Sequence, residues 1–170
     1  GPVVNPDCGV TDITMEDLKA IFLGNITKWS DLGGADEDIV VINRASGSGT
    51  RATFESAVLE GEAAMPSQEQ DSSGTVATMV AETPGAISYL AFSYYDDTMC
   101  ALKVDGVEPT AENVETNDWK IWAYEHMYTS ADADQCTNDF IEYMLSNQVQ
   151  DELVEQLGYI PVAGMKVEKD

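Results

Sequence analysis

The run Ile39-Val40-Val41-Ile42 leads directly into Asn43-Arg44-Ala45-Ser46-Gly47-Ser48-Gly49-Thr50-Arg51-Ala52-Thr53-Phe54-Glu55. Four consecutive β-branched apolar residues read as a buried strand. Glycine and serine then break the run. Phe54 and Val58 recur one helical turn apart, so a helix follows. Strand, glycine loop, helix is the basic repeat of a layered α/β protein.

The rest of the chain continues the alternation. Thr14 is placed to cap a helix over Met15 to Leu23, with Leu18, Ile21 and Phe22 on one face and Gly24 as its stop. The strand at 39–42 precedes a helix over Gly49 to Leu59, and Glu60 to Gln70 reads as a polar connection. Asp71-Ser72-Ser73-Gly74-Thr75 opens a helix whose face carries Val76, Met79 and Val80. Pro84-Gly85 is a turn, Ala86 to Leu90 a strand, and Cys100 to Val104 another strand that meets a turn at Asp105-Gly106. A short helix starts at Pro109–Asn113, and Trp119 to Tyr128 is extended. Asn138 to Leu145 and Gln148 to Leu157 read as amphipathic helices, with Gly158 ending the second.

The loop carries the only two arginines of the chain, in a sequence with 31 Asp and Glu against 8 Lys and Arg. The first N–H groups of a helix have no intrahelical partner, and they lie at the positive end of the helix dipole. An anion is held there by backbone donors. Glycine allows close approach. Ser48 is a good N-cap, Ser48 and Thr50 add hydroxyl donors, and Arg44 at the strand end offers a two-pronged guanidinium. The same residues also fit a plain capped helix with Arg44 in a surface ion pair.

The net charge of −23 argues against nucleic acid and anionic membranes as partners. Distant charges are screened over about 8–10 Å, so contact donors govern affinity for an anion while the overall field slows its capture. With 44% hydrophobic residues the chain has the apolar content of a folded core, and no stretch approaches the roughly 20 apolar residues of a membrane span.

Several motifs are absent. A P-loop requires G-x-x-x-x-G-K-[ST], and the loop has no lysine. A nucleophile elbow requires G-x-S-x-G, whereas Ser48 is flanked directly by Gly47 and Gly49. The single histidine, His126, lies among Trp122, Tyr124 and Tyr128 and reads as a packed structural residue. No spacing indicates a metal site, and no cofactor is implied. Cys8, Cys100 and Cys136 allow at most one intrachain disulfide, or three free thiols. Ser73-Gly74-Thr75 repeats the tripeptide of residues 48–50. It is either a second donor facing the same cleft or simply a good cap. Tyr89 reads as core, and Tyr94-Tyr95 as cover for an edge. Asn25-Ile26-Thr27 matches a glycosylation acceptor without further support.

These segments together resemble one family, the substrate-binding proteins of bacterial high-affinity phosphate ABC transporters. The resemblance is carried by Val3-Val4-Asn5-Pro6, by Ile13 to Gly34 with its Phe22-Leu23-Gly24-Asn25-Ile26-Thr27-Lys28-Trp29, and by Arg44 to Phe54. Thr83 to Leu90, Val107 to Val114, Tyr124 to Thr129 and Gln150 to Val162 extend it over nearly the whole chain.

The resemblance implies a periplasmic-binding-protein-like α/β lobe with a mixed, mainly parallel sheet flanked by helices. It implies capture without chemistry: two lobes close on a dehydrated phosphate and the closed form docks on a permease. Carried over, the ligands are Arg44, Ser48, Gly49 and Thr50, supported by Ser46, Gly47, Arg51 and Ser73. Family members often carry Asp where this chain has Ser46, so Arg44 is expected to rely on another group such as Glu55. The family has further chain before the Val3 equivalent, with the lipid anchor and about half the ligands. Residues 7–126 are therefore expected to form the second lobe, and 127–170 to return to the first, on the outer surface of a Gram-positive-type cell. A surface adhesion module with a degenerate anion site, or a phosphoryl-transfer enzyme, are the alternatives.

Overall fold

The computed structural model describes residues 1–169. In chain order its strands are β1 (Pro2–Val4), β2 (Asp12–Ile13), β3 (Val40–Arg44), β4 (Gln68–Gln70), β5 (Ala86–Tyr89), β6 (Cys100–Ala101) and β7 (Lys103–Val104). The α-helices are α1 (Met15–Phe22), α2 (Gly49–Phe54), α3 (Ser73–Glu82), α4 (Ala111–Glu115) and α5 (Gln135–Met144). The main sheet has the order β4-β3-β5-β1-β6, and β2 and β7 form a small parallel pair. β3 runs parallel to both β4 and β5, while β1 runs antiparallel to β5 and β6. The sheet is thus mixed, and parallel where it carries the glycine loop.

Period-two alternation divides the core into two faces. Val4, Val41, Ile87 and Tyr89 point into one cluster with Leu18, Ile21, Phe22, Phe54, Val58 and Leu59 of the first two helices. Val3, Ile42, Ala86 and Leu90 point into the other, beneath Val76 and Val80 of α3. The result is helix, sheet, helix: α1 and α2 cover one face and α3 the other. This explains why residues 39–42 show no polar alternation.

The capping residues act as their types dictate. Thr14 Oγ1 accepts from Asp17 N at 3.0 Å, and Gly24 takes φ +81° after the last turn of α1. Gly85 has φ +72°, and a Cβ there would run into the carbonyl oxygen of Asp38. Trp29, fully buried, donates its indole N–H to the Gly85 carbonyl at 2.9 Å, so the Pro84-Gly85 turn and the Trp29 segment lock together.

Some elements differ from expectation. Gln68–Gln70 is a strand although Gln-Glu-Gln has no strand-forming pattern; it is an exposed edge defined by pairing with β3. The Cys100–Val104 run divides, with 100–101 joining the main sheet and 103–104 joining β2. The helix after the loop continues beyond Phe54 in wider, π-type winding over Glu55–Leu59. The helix expected at 148–157 likewise begins with a π-type turn, Val149–Val154. His126 is exposed, not packed. It lies in an extended segment leaving the body, with Tyr124 and Tyr128 on either side at ring separations of 6.4 and 6.0 Å.

All three cysteines are free: Cys8 buried, Cys100 half-buried and Cys136 exposed. Among the described residues no helix is long and apolar enough to cross a membrane.

Candidate anion-binding site

β3 ends at Arg44, and its burial decides the character of the site. The residue is 7% exposed. Its Nη2 donates to the Asp71 carbonyl at 2.8 Å. Its Nε and Nη1 are buried and have no hydrogen-bond partner. No carboxylate pairs with it among the described residues, so the surface-ion-pair reading is wrong. Leaving charged donors unsatisfied in a buried position costs several kcal/mol, at least about 1–3 for each group. Buried donors of this kind are met in folded proteins by ordered water, an ion or a ligand.

The backbone of Arg44 is held from three sides. Its N–H donates to Asn43 Oδ1 at 2.9 Å and approaches Tyr89 Oη at 3.4 Å. The Tyr89 hydroxyl in turn donates to Asn43 Oδ1. Burial pushes the Tyr89 phenol up to about 12, so it stays a donor at physiological pH. Its ring stacks on Phe54 of α2 at 4.0 Å. The Arg44 carbonyl accepts from Arg51 Nη1 at 2.7 Å.

Arg51 is thus a brace across the loop. It pairs with Glu55 and with Glu69, both at 2.7 Å. Glu55, expected as the partner of Arg44, is engaged by Arg51 instead, because the i,i+4 spacing on the helix favours that pair.

The loop between them is open. Ser48 caps α2, its Oγ accepting from Arg51 N at 3.3 Å. Gly47 takes φ +93°, which turns the chain into the helix. Gly49 has no such backbone need, and the space where its Cβ would stand is empty to 4 Å. The N–H groups of Gly49 and Thr50 open the helix without intrahelical partners. Ser46 is exposed. Thr50 and Ser73 line one cavity of about 630 Å³, together with Ala91, Ser93, Tyr94 and, on the far wall, Glu155 to Tyr159. Glu155 and Tyr159 lie in the Gln150–Val162 segment that carries the resemblance but had no site role there; they line the cavity because the chain returns past Ser93. Among the described residues no cluster of His, Cys, Asp and Glu is arranged to hold a metal ion.

The profile of the PBP superfamily domain matches residues 1–148. The chain belongs to the PBP superfamily. Within it, this PBP-superfamily chain is 49% identical over 98% of its length to the phosphate-binding protein PstS of Bacillus subtilis, covering 56% of that protein. It is 28% identical to the PstS of Borreliella burgdorferi, over 94% of its own length and 62% of the relative's. Residues of this chain therefore span little more than half the length of the curated relatives. A substrate-binding protein assigned to a phosphate ABC transporter of Clostridium perfringens, solved with bound phosphate, superposes with a TM-score of 0.84 at 37% identity, over 95% of this chain and 67% of that one. The ABC-type phosphate transport receptor of Vibrio cholerae gives 0.78 at 28% identity, over 94% and 67%. The PBP-type fold expected from the sequence, a mixed sheet flanked by helices, is the fold observed.

Proposed function

We propose that this PBP-superfamily chain is the anion-loop lobe of an extracytoplasmic protein that captures inorganic phosphate and delivers it to an ABC permease. The observation that carries the proposal is the pair of unpartnered, buried Arg44 nitrogens beside the open start of α2. A tetrahedral oxyanion supplies acceptors to both. The names of the relatives support phosphate as that oxyanion and transport as the context. The ligands are Arg44 through its guanidinium, Gly49 and Thr50 through backbone N–H, and the hydroxyls of Ser48 and Thr50. No bond is made or broken: the Ser48 oxygen accepts from Arg51 N while its O–H remains to donate to the anion, and His126, the chain's one histidine, is exposed on another segment. A degenerate adhesion module is less well supported, because Ser46 leaves Arg44 no less buried.

The proposal includes a division of the chain. Residues 7–126 are the loop-bearing lobe, and residues from 127 onward return to a first lobe supplied by other parts of the protein, which also hold the lipid anchor at the cell surface. Tyr128, Phe140 and Leu157 are 89%, 58% and 66% exposed, large apolar side chains available for an interface. The last residues rejoin the body: Lys166 N donates to Glu115 O at 3.0 Å and Tyr124 Oη to Val167 O at 2.9 Å.

Isothermal titration of the full-length protein tests the function. Phosphate is expected to bind saturably with one site per chain, and sulfate much more weakly. Equal affinity for the two ions would contradict phosphate capture.

A further inference from the structure

The crossovers that leave β3 and the edge strand β4 begin side by side. β3 and β4 are parallel neighbours, with Arg44 opposite Gln70 in the register. α2 follows β3, and α3 follows β4. Both helices therefore start at the carboxyl edge of the same pair of strands, one on each face of the sheet, and their N-termini face one crevice. The Arg44 guanidinium ties the end of β3 to the segment that leads into α3. It rises from the end of β3 and donates Nη2 to the carbonyl of Asp71, the residue before the Ser72 cap of α3. Its other two nitrogens, Nε and Nη1, are buried without a hydrogen-bond partner. Thr50 from α2 and Ser73 from α3 line the same cavity.

The hydroxyls at the start of α3 divide their work. Ser72 Oγ caps the helix by accepting from Thr75 N at 3.3 Å. Thr78 donates to the Gly74 carbonyl at 3.2 Å. Ser73, half-buried at the cavity wall, is left without a hydrogen bond among the described residues. It is not needed to cap the helix. A Cβ on Gly74 would meet nothing closer than Ser72 Oγ at 3.8 Å, so the first turn of α3 is as open as that of α2.

We propose that α3 supplies a second set of anion donors, the Ser73 hydroxyl and the free N–H groups of its first turn, opposite those of α2 across Arg44. The inference rests on the phosphate reading above and extends its ligand set. Two dipole ends and one guanidinium then place positive potential at a single point in a chain of net charge −23.

The test is titration of the full-length protein with inorganic phosphate, for the wild type, Ser73→Ala and Ser73→Asp, with thermal unfolding recorded without phosphate. Ser73→Ala removes one hydrogen bond to a charged guest and is expected to weaken binding about tenfold or more. Ser73→Asp places a carboxylate in the first helical turn, where the dipole favours it, so the unfolding temperature is expected to hold or rise. The same carboxylate faces the anion, and affinity is expected to fall about a hundredfold or more. Stability retained with binding lost is a result that a purely structural Ser73 does not produce. Wild-type affinity in both variants overturns the proposal while leaving phosphate capture intact. A wild-type protein that binds no phosphate overturns both.

Discussion

Replacing Arg44 with Ala in the full-length protein is expected to weaken phosphate binding by about a hundredfold or more, since two hydrogen bonds between charged groups are lost at about 1.5–3 kcal/mol each. The effect on folding should have a different character. In the absence of phosphate, Arg44 carries two buried nitrogens without partners, and removing them lifts a desolvation penalty. Against that stands the loss of one bond from the charged guanidinium to the Asp71 carbonyl, worth about 1.5–3 kcal/mol. Unfolding temperature without ligand should therefore change little. Arg44→Lys should not restore affinity, because a single ammonium cannot satisfy the two acceptors that a planar fork reaches. A variant that loses stability and affinity together would assign Arg44 to the scaffold.

Phe54→Ala should give the largest loss of stability. Phe54 is 1% exposed. It stacks on Tyr89 at 4.0 Å with rings 8° apart, and meets Phe22 at 4.6 Å. Three elements meet there: α1, α2 and β5. Truncation leaves a cavity flanked by two aromatic rings, which costs about 3–5 kcal/mol. Urea unfolding measures it, as a lower midpoint with the denaturant slope unchanged. Phosphate affinity should fall only modestly, because Asn43 still accepts from the Arg44 amide. A midpoint within error of the wild type would show that the cluster does not hold α2 in place.

These expectations show which parts of the molecule were legible beforehand. Buried β-branched runs, capping residues and the glycine loop report local backbone physics, and β3, β5, α1, α2 and α3 followed from them. β4 did not, because Gln68–Gln70 owes its conformation to the neighbouring strand and not to its own side chains. The split at Leu102 is equally non-local: residues on either side join different sheets. At the site, the Ser48 cap of α2 and the place of Arg44 at the end of β3 were readable. The partner of its guanidinium was not, since a backbone carbonyl has no signature in sequence and Asp71 lies 27 positions away. The role of Arg51 as a brace, through Glu69 on an unrecognised strand, was hidden for the same reason. His126 shows the converse error: aromatic neighbours in sequence suggested packing, but along an extended chain they flank the residue without covering it.

The central claim is that Arg44 and the opening amides of α2 close on one tetrahedral oxyanion. A crystal structure of the full-length protein grown with phosphate tests it most directly. The expected result is a phosphate whose oxygens lie within about 3 Å of Arg44 Nε and Nη1 and of the Gly49 and Thr50 nitrogens. Phosphate bound elsewhere, with those two Arg44 nitrogens satisfied by protein groups, would contradict it.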